Sequence, residues 1–185
     1  MQPQPAKTEA KRPSARIVGF TGHRHLKNPE AVASALQAEL AAVRNGGDEI
    51  SAISSIAIGA DTLFAEAVLR AGIKWIVLLP MARELFRDDF APEEWARAER
   101  LMARAAEVRS LPGKDRPQVY VDCGRATVEE SNCLFAVWDG KPAQGPGGTA
   151  EIIAYAQKLG RDLTIFREDE TGVRKVDPAL ISGDI

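Results

Sequence analysis

The sequence predicts an α/β fold of three layers, in which a mostly parallel sheet is covered by helices on both faces. Short apolar runs, typical of buried strands, alternate along the chain with stretches whose apolar residues recur at helical spacing. The strand-like runs are almost continuously apolar, as expected for strands that are buried on both faces. Together these observations indicate successive βαβ units.

The first unit shows the pattern clearly. Residues 17–20 form a short apolar run that predicts a strand. Asn28 followed by Pro29 predicts the start of a helix, because Asn caps helices well and Pro suits the first helical position. The apolar face of this helix consists of residues three or four apart, namely Val32, Leu36, Leu40 and Val43. The sequence Asn-Gly-Gly at residues 45–47 ends the helix.

The later units follow the same order. Residues 50–58 and 73–79 predict strands, and the helix between them begins near Asp61. Further helices are predicted from Pro92 and between residues 152 and 159, and further strands at residues 133–138 and 163–166. Residues 118–132 are ambiguous, because their first residues have strand propensity and the rest has a helical pattern. The local pattern leaves both interpretations open.

The domain organisation is predicted from the ends of the chain. Residues 1–15 contain three prolines and no apolar stretch of signal-peptide length, which predicts a flexible N-terminal tail. Residues 16–166 are expected to form a single domain. Residues 167–185 are rich in charged residues and are expected to be a loosely packed C-terminal extension.

The composition disfavours several classes of function. The chain has 185 residues, 45% of them hydrophobic, with 24 basic and 26 acidic residues and a formal net charge of −2. Because nucleic-acid binding draws on clustered Lys and Arg, this balance disfavours nucleic acid as a partner, and an anionic membrane surface likewise. Cys123 and Cys133 are too few for a disulfide scaffold and lack CxxC spacing, so we expect a reducing, cytoplasmic setting.

Three polar loops contain the candidate binding residues, because ligands of open parallel sheets bind outside the carboxyl ends of the strands. Each loop directly follows a predicted strand. The candidate ligand-binding residues are Thr21, Gly22, His23 and Arg24 in the first loop, Gly59 and Asp61 in the second, and Asp139, Gly147, Gly148 and Thr149 in the third. We expect these loops to meet at one edge of the sheet.

The third loop has four glycines within residues 140–148, directly before a helix that begins near Thr149. Glycine lets backbone N–H groups approach a ligand closely, and a helix N-terminus adds partial positive charge, which suits a phosphate or another anion. The loop has no Gly-Lys-Ser/Thr sequence, and no GxGxxG motif follows the first strand. Neither a P-loop NTPase nor an ordinary NAD(P)-dependent dehydrogenase is therefore expected. A crossover loop that binds no ligand is the alternative.

The candidate side chains each have an alternative role. Arg24 is interpreted as a phosphate anchor, because guanidinium binds phosphate bidentately, and the alternative is a surface salt bridge. His23 binds the ligand or hydrogen-bonds within its own loop. With His25 as the other histidine of the chain, no metal site is expected. Asp61 either caps its helix or contacts a sugar hydroxyl, and Asp89 either reaches the same rim or is solvated.

Four short motifs resemble the SLOG superfamily. They are GFTGHR at residues 19–24, GADTL at 59–63, AVWDG at 136–140 and GGTAE at 147–151. This Rossmann-like group includes the LOG-type nucleotide phosphoribohydrolases and the DNA-processing protein DprA. The sequence is most similar to bacterial SLOG domains with a TGHR-type first loop. The resemblance covers about residues 16–166.

The resemblance implies a nucleotide or nucleotide-derived ligand above the strand ends, and a largely helical segment at residues 118–132. In LOG-type enzymes, an Arg before the Gly-rich loop and a Glu after it serve hydrolysis of the N-glycosidic bond. Arg125 and Glu151 match these catalytic residues. The LOG pattern is PGGxGTxxE, whereas this chain has PGGTAE at residues 146–151, so the Glu comes one residue earlier after the Thr. One residue rotates a side chain by about 100° around a helix, so ligand binding is the more direct implication.

The leading hypothesis is therefore binding of a nucleotide-type small molecule, as a sensor. The alternative is a nucleotide N-glycosidase that releases a free base, with Glu151 near C1′ and Arg125 holding the phosphate, so whether the chain is an enzyme stays open. A DprA-like module for single-stranded DNA is disfavoured by the balanced charge and the few aromatic residues. We also expect a homo-oligomer, packed through the apolar helix at residues 31–43, and no cofactor.

Overall fold

Seven strands form one sheet within residues 15–47 and 49–181, which are the residues that the computed structural model describes. The strands are β1 (Arg16–Gly22), β2 (Ile50–Ser54), β3 (Lys74–Leu79), β4 (Glu107–Ser110), β5 (Cys133–Trp138), β6 (Asp162–Asp169) and β7 (Gly172–Val176). They are arranged in the order β4-β3-β2-β1-β5-β6-β7. Neighbouring strands are parallel except β7, which is antiparallel to β6.

Helices cover both faces of this sheet. They are α1 (Pro29–Arg44), α2 (Ala60–Arg70), α3 (Arg83–Phe86), α4 (Pro92–Met102), α5 (Arg116–Glu129) and α6 (Thr149–Lys158). Alternate residues of β5 pack against different helix layers, because successive side chains of a strand point to opposite faces of the sheet. Phe135 and Val137 pack in one core with residues of α1 and α2, whereas Ala136 and Trp138 pack with α6. The predicted three-layer α/β fold is confirmed, and it is Rossmann-like.

The order of the strands reverses between β1 and β5. From β1 the chain crosses to β2 on one side, and β5 continues to β6 on the other, so the loops after β1 and β5 diverge. Such a switch point opens a crevice at the carboxyl ends of the two strands. The register places Gly22 at the end of β1 beside Val137 near the end of β5. The first and third predicted loops therefore begin next to each other.

Residues 118–132 are largely helical, as the resemblance implies. They lie mostly in α5, which runs from Arg116 to Glu129. The strand propensity of residues 119–121 is overridden by tertiary packing, because Val119 and Val121 are buried within the helix. Trp75, Trp95 and Trp138 are all buried in the cores.

The C-terminal part of the chain is more ordered than its sequence pattern indicates. The strand expected at residues 163–166 extends as β6 to Asp169, and β7 pairs with it. Ile181 is buried against the α6 side of the sheet. The predicted extension, residues 167–185, thus completes the sheet as far as it is described, and residues 182–185 lie outside the described residues. The predicted N-terminal tail lies outside them as well, except for Ala15.

The apolar face of α1 is used within the chain. Val32, Leu36 and Leu40 are buried in the core shared with α2 and the sheet. This face is therefore not available for packing on a second copy, and the expected homo-oligomer stays a prediction that needs another surface. Between residues 15–47 and 49–181, no helix is long and apolar enough to cross a membrane.

Candidate functional site

A cleft of about 530 Å³ lies at the carboxyl ends of the central strands. Its volume is within the range of roughly 300–1,000 Å³ that is typical of small-molecule sites. The sequence-predicted residues that line it are Thr21, Gly22, His23, Arg24, Asp61, Asp139, Gly147, Gly148 and Thr149. The three polar loops therefore meet at one edge of the sheet, as their positions after the strands predict.

Gly59 is the predicted ligand-binding residue that does not line the cleft. It is the N-cap of α2 and has a φ of 82°, a conformation that favours glycine. A Cβ atom on it would overlap the carbonyl oxygen of Arg24, and the neighbouring Ala60 N–H donates to the His23 carbonyl at 3.0 Å. Gly59 thus allows the start of α2 to pack directly on the first loop, which is a structural reason for the glycine.

His23 joins the first loop to the third. Its Nε2 atom lies 3.0 Å from the backbone nitrogen of Asp139 and 3.1 Å from the Oδ1 atom of the same residue. A neutral Nε2 accepts the backbone N–H, whereas a protonated Nε2 donates to the carboxylate. In either state the imidazole bridges the loops that follow β1 and β5. The interpretation that His23 hydrogen-bonds within the protein therefore has direct geometric support.

The Gly-rich third loop folds back on α5. Gly147 has a φ of 73°, and a Cβ atom on it would lie 2.8 Å from the carbonyl carbon of Tyr120. Its N–H donates to the Oε2 atom of Glu151 at 2.8 Å. Thr149 then begins α6 and lines the cleft. Because the first N–H groups of a helix have no partner within it, this end of α6 presents partial positive charge at the cleft.

Arg125 and Glu151, the two catalytic candidates, do not line the cleft. Their side chains pair with each other at 3.6 Å, and the Arg125 guanidinium also lies 5.3 Å from the centre of the Tyr155 ring. Since the other oxygen of Glu151 accepts the Gly147 N–H, its carboxylate is occupied in holding the loop. The structure brings these two residues to each other and brings Glu151 to Gly147, whereas neither of them lines the cleft.

Arg24 is held over the cleft by Asp89, which the sequence offers as a residue of the same rim, and by Tyr120, which it does not. Its guanidinium lies 5.4 Å from the centre of the Tyr120 ring, and its Nη2 atom is 3.8 Å from Asp89. Tyr120 in turn donates its hydroxyl proton to Asp89, which also pairs with Arg116. The position of Asp89 after the third strand hinted at this contact, whereas nothing in the sequence pairs Tyr120 with Arg24.

Asp61 is a buried carboxyl group on the wall of the cleft, with 7% of its surface exposed. It is the second residue of α2 and not its cap, which is Gly59. Burial raises the pKa of Asp61 to about 7, against the lowering effects of a hydrogen bond from the Ala57 N–H and of the nearby Arg24. Cys123 also lines the cleft, and burial raises the pKa of its thiol to about 12.

Glu168 is a further cleft residue that sequence reasoning missed. It is buried near the end of β6, within the predicted C-terminal extension, and lines the cleft. Its Oε1 atom accepts the Asn28 N–H at 2.6 Å, which ties β6 to the start of α1. No periodicity or motif marks this residue. Among the described residues, no group of three or more His, Cys, Asp or Glu side chains is arranged to hold a metal ion.

Several solved structures resemble the chain at the level of the fold. One is DNA processing protein A from Helicobacter pylori, a protein with a unique single-stranded DNA binding mode. It superposes on this chain with a TM-score of 0.58 at 19% sequence identity. The aligned part covers 89% of this chain and 70% of that one. The structural-genomics target TM1055 superposes with a TM-score of 0.53 at 14% identity, covering 80% of this chain and 72% of that one. No protein-family model and no curated protein sequence matches the chain.

The chain has the fold of DNA processing protein A. At the level of the fold, this agrees with the resemblance to the SLOG superfamily that the four motifs carry. The same similarity contradicts the expectation that nucleic acid is disfavoured as a partner, because the Helicobacter pylori protein that shares the fold binds single-stranded DNA. The expectation was wrong because net charge averages over the whole surface, whereas phosphate contacts depend on a few local groups.

Proposed function

We propose that the chain binds a nucleotide or a nucleotide-derived molecule in the cleft at the carboxyl ends of β1 and β5. The observation that carries the proposal is the convergence of an uncapped helix N-terminus and a guanidinium on one cleft of ligand size. The N-cap of α6 is Gly148, and no side-chain hydrogen bond caps this end of the helix. Thr149, the first residue of the helix, and Arg24 line the same cleft. A phosphate there accepts hydrogen bonds from the helix end while Arg24 neutralises its charge.

The Arg24 side chain is suited to exchange partners on binding. Its exposed fraction is 42%, and its separation from Asp89 is long for an ion pair at 3.8 Å. Asp89 keeps two other partners, Arg116 and the Tyr120 hydroxyl, when the guanidinium turns to a ligand. The charge of Asp89 therefore stays compensated, and the Tyr120 ring continues to limit the positions that Arg24 adopts.

Nucleotide binding is tested by thermal shift and calorimetric titration with nucleoside mono- and diphosphates, ADP-ribose and cyclic nucleotides. We expect at least one of them to stabilise the chain, because a ligand that binds the folded state raises its stability. Substitution Arg24→Gln is expected to weaken binding roughly 10- to 100-fold, the usual loss for a hydrogen bond to a charged group.

The matched control for that variant is Arg97→Gln. Arg97 is a similarly exposed arginine that pairs with Glu66 on the neighbouring helix and does not line the cleft. Its variant is expected to bind the same ligand as tightly as the unmodified chain. A thermal-shift screen in which none of these compounds stabilises the chain would falsify the proposal.

Single-stranded DNA is a second candidate ligand, favoured by the fold shared with the Helicobacter pylori protein. Fluorescence anisotropy with a labelled oligothymidine strand tests it. Binding that strengthens with strand length and falls steeply with salt supports a polynucleotide ligand, because each phosphate contact releases counterions. Hydrolysis of a nucleotide is not proposed, since Glu151 does not line the cleft and its carboxylate is engaged by the Gly147 N–H and by Arg125.

A further inference from the structure

Asp61 has unused hydrogen-bonding capacity that faces the cleft. Its Oδ2 atom accepts the Ala57 N–H at 3.2 Å. Within the described part of the chain, that group is the one hydrogen-bond donor to this carboxyl. An ionised carboxylate accepts about four hydrogen bonds, so most of its acceptor sites are unfilled. Because Asp61 is buried and lines the cleft, donors for these sites come most directly from a molecule in the cleft.

A carboxylate with unfilled acceptor sites on the wall of a cleft makes the cleft selective. Removing a polar group from water without giving it partners costs free energy, and a ligand that supplies donors recovers that cost. A ligand of the same shape that lacks the donor leaves the carboxylate unpaired and binds more weakly. Asp61 therefore favours a ligand that presents hydroxyl or amino donors to it.

The position of Asp61 relative to α6 indicates which part of the ligand it meets. Asp61 follows β2 and Thr149 follows β5, and both of these strands are neighbours of β1. Two spacings between adjacent strands separate the ends of β2 and β5 by about 10 Å. Asp61 and Thr149 both line the cleft above these ends. A nucleotide whose phosphate lay at the start of α6 and that reached toward the β2 side would therefore bring its sugar toward Asp61 first.

We propose that Asp61 is the residue that reads the sugar, and that its carboxylate accepts hydrogen bonds from ribose hydroxyl groups. The cleft consequently selects ribonucleotides over 2′-deoxyribonucleotides. This inference rests on the proposed nucleotide-binding function and adds to it the class of sugar. The 2′-hydroxyl is the group that distinguishes a ribonucleotide from its deoxy counterpart, and it is therefore the group that the test varies.

The test compares matched pairs of ligands on the full chain. The four nucleoside 5′-monophosphates and their 2′-deoxy counterparts are titrated by calorimetry above the pKa of Asp61, which is about 7. We expect the ribonucleotide of the tightest-binding pair to bind roughly 10-fold more tightly than its deoxy counterpart, the effect of one charged hydrogen bond. Asp61→Asn is expected to remove this preference while both ligands still bind through their phosphates.

Two variants support the interpretation of that result. Glu66→Gln changes a partly exposed carboxylate on the same helix that pairs with Arg97, and it is expected to keep the preference for ribose. Asp61→Ala serves if the Asn variant unfolds, with thermal unfolding as the check of folding. Because the ribose preference is first measured on the unmodified chain, the inference is tested even if both Asp61 variants are unstable.

The outcomes are distinguishable. Equal affinity for ribose and deoxyribose ligands overturns the inference and leaves the proposed function standing. A ribose preference that persists in a folded Asp61→Asn variant also overturns it, because another group then reads the sugar. Absence of binding by every nucleotide overturns the proposed function and this inference with it. A preference that the variant removes and the Glu66→Gln control retains supports the assignment.

Discussion

Asp61 and Glu151 occupy comparable places in two βα units, and they have opposite roles in the structure. Each lies in the first turn of a helix that follows a strand at the carboxyl edge of the sheet. Glu151 is partly exposed and accepts the Gly147 N–H while pairing with Arg125. Asp61 is buried, lines the cleft and has a single hydrogen-bond donor among the described residues. The comparison teaches that unused hydrogen-bonding capacity, and not helix position, distinguishes a carboxylate that is available to a ligand.

The largest expected effect on stability concerns the Gly-rich third loop, which Glu151 holds through the Gly147 N–H. Gly147→Ala places a Cβ atom 2.8 Å from the backbone of Tyr120 at a φ of 73°. Strain and overlap together are expected to destabilise the chain by roughly 2–5 kcal/mol, measured as the free energy of unfolding in urea. Gly145→Ala is the control in the same loop, because nothing lies within 4 Å of its Cβ position. Equal losses in the two variants would show that the loop is not held as described.

The second effect is the pH dependence of stability on the Asp61 side. Burial raises the pKa of Asp61 from 3.8 to about 7, so the folded chain holds a proton that the unfolded chain has released between these values. Stability therefore falls as pH rises through this window, by roughly 2–3 kcal/mol between about pH 5 and pH 8. Arg24 and the Ala57 N–H face this carboxyl and favour its charged form, and Cys123 faces it with a neutral thiol.

Asp61→Asn removes the titrating carboxyl group, so it is expected to reduce the fall in folding stability between about pH 5 and pH 8. The measurement is the free energy of unfolding in urea at several pH values, with Glu66→Gln as the control. Because Glu66 pairs with Arg97 at the surface, its variant is expected to keep the profile of the unmodified chain. An Asp61→Asn profile as steep as that of the unmodified chain would contradict the buried, neutral state of Asp61.

The smallest effect is expected for Glu151→Gln. The amide oxygen of Gln still accepts the Gly147 N–H, and the Arg125 pair is partly exposed, so the expected loss of stability is below about 1 kcal/mol. Nucleotide affinity is expected to stay unchanged in calorimetric titrations. If the unmodified chain releases free base from AMP or GMP and Glu151→Gln abolishes the release, the comparison breaks, because Glu151 is then a catalytic residue.

Much of the fold follows from local sequence patterns, and the exceptions have a physical cause. The central strands β1, β2, β3 and β5 are apolar runs followed by polar loops, and their pattern alone predicts the parallel sheet. The edge strands β4 and β7 are short and carry charged residues such as Arg109 and Arg174. Edge strands need no apolar face on the core, so no periodicity marks them.

The sequence predicts which loops line the cleft, but it does not predict the contacts that their residues make. Gly147 and Gly59 were expected to approach a ligand, yet each glycine is required by an adjoining backbone of the protein itself. The contacts of Arg24 with Asp89 and Tyr120 join residues from three different βα units, which topology determines and local spacing does not. Glu168 reaches the cleft because β6 extends beyond its apolar run.

The placement of β5 beside β1 also has a consequence for how the chain is made. His23 and Asp139, which join the two sides of the cleft, are 116 residues apart. During synthesis, β1 to β4 are made before β5, so the growing chain has half of the cleft and an unpaired edge on β1. That exposed edge is a place where misassembly starts, because unpaired strand edges recruit other strands. A ligand bound as proposed would contact both sides of the cleft and would therefore stabilise only a chain that already contains β5.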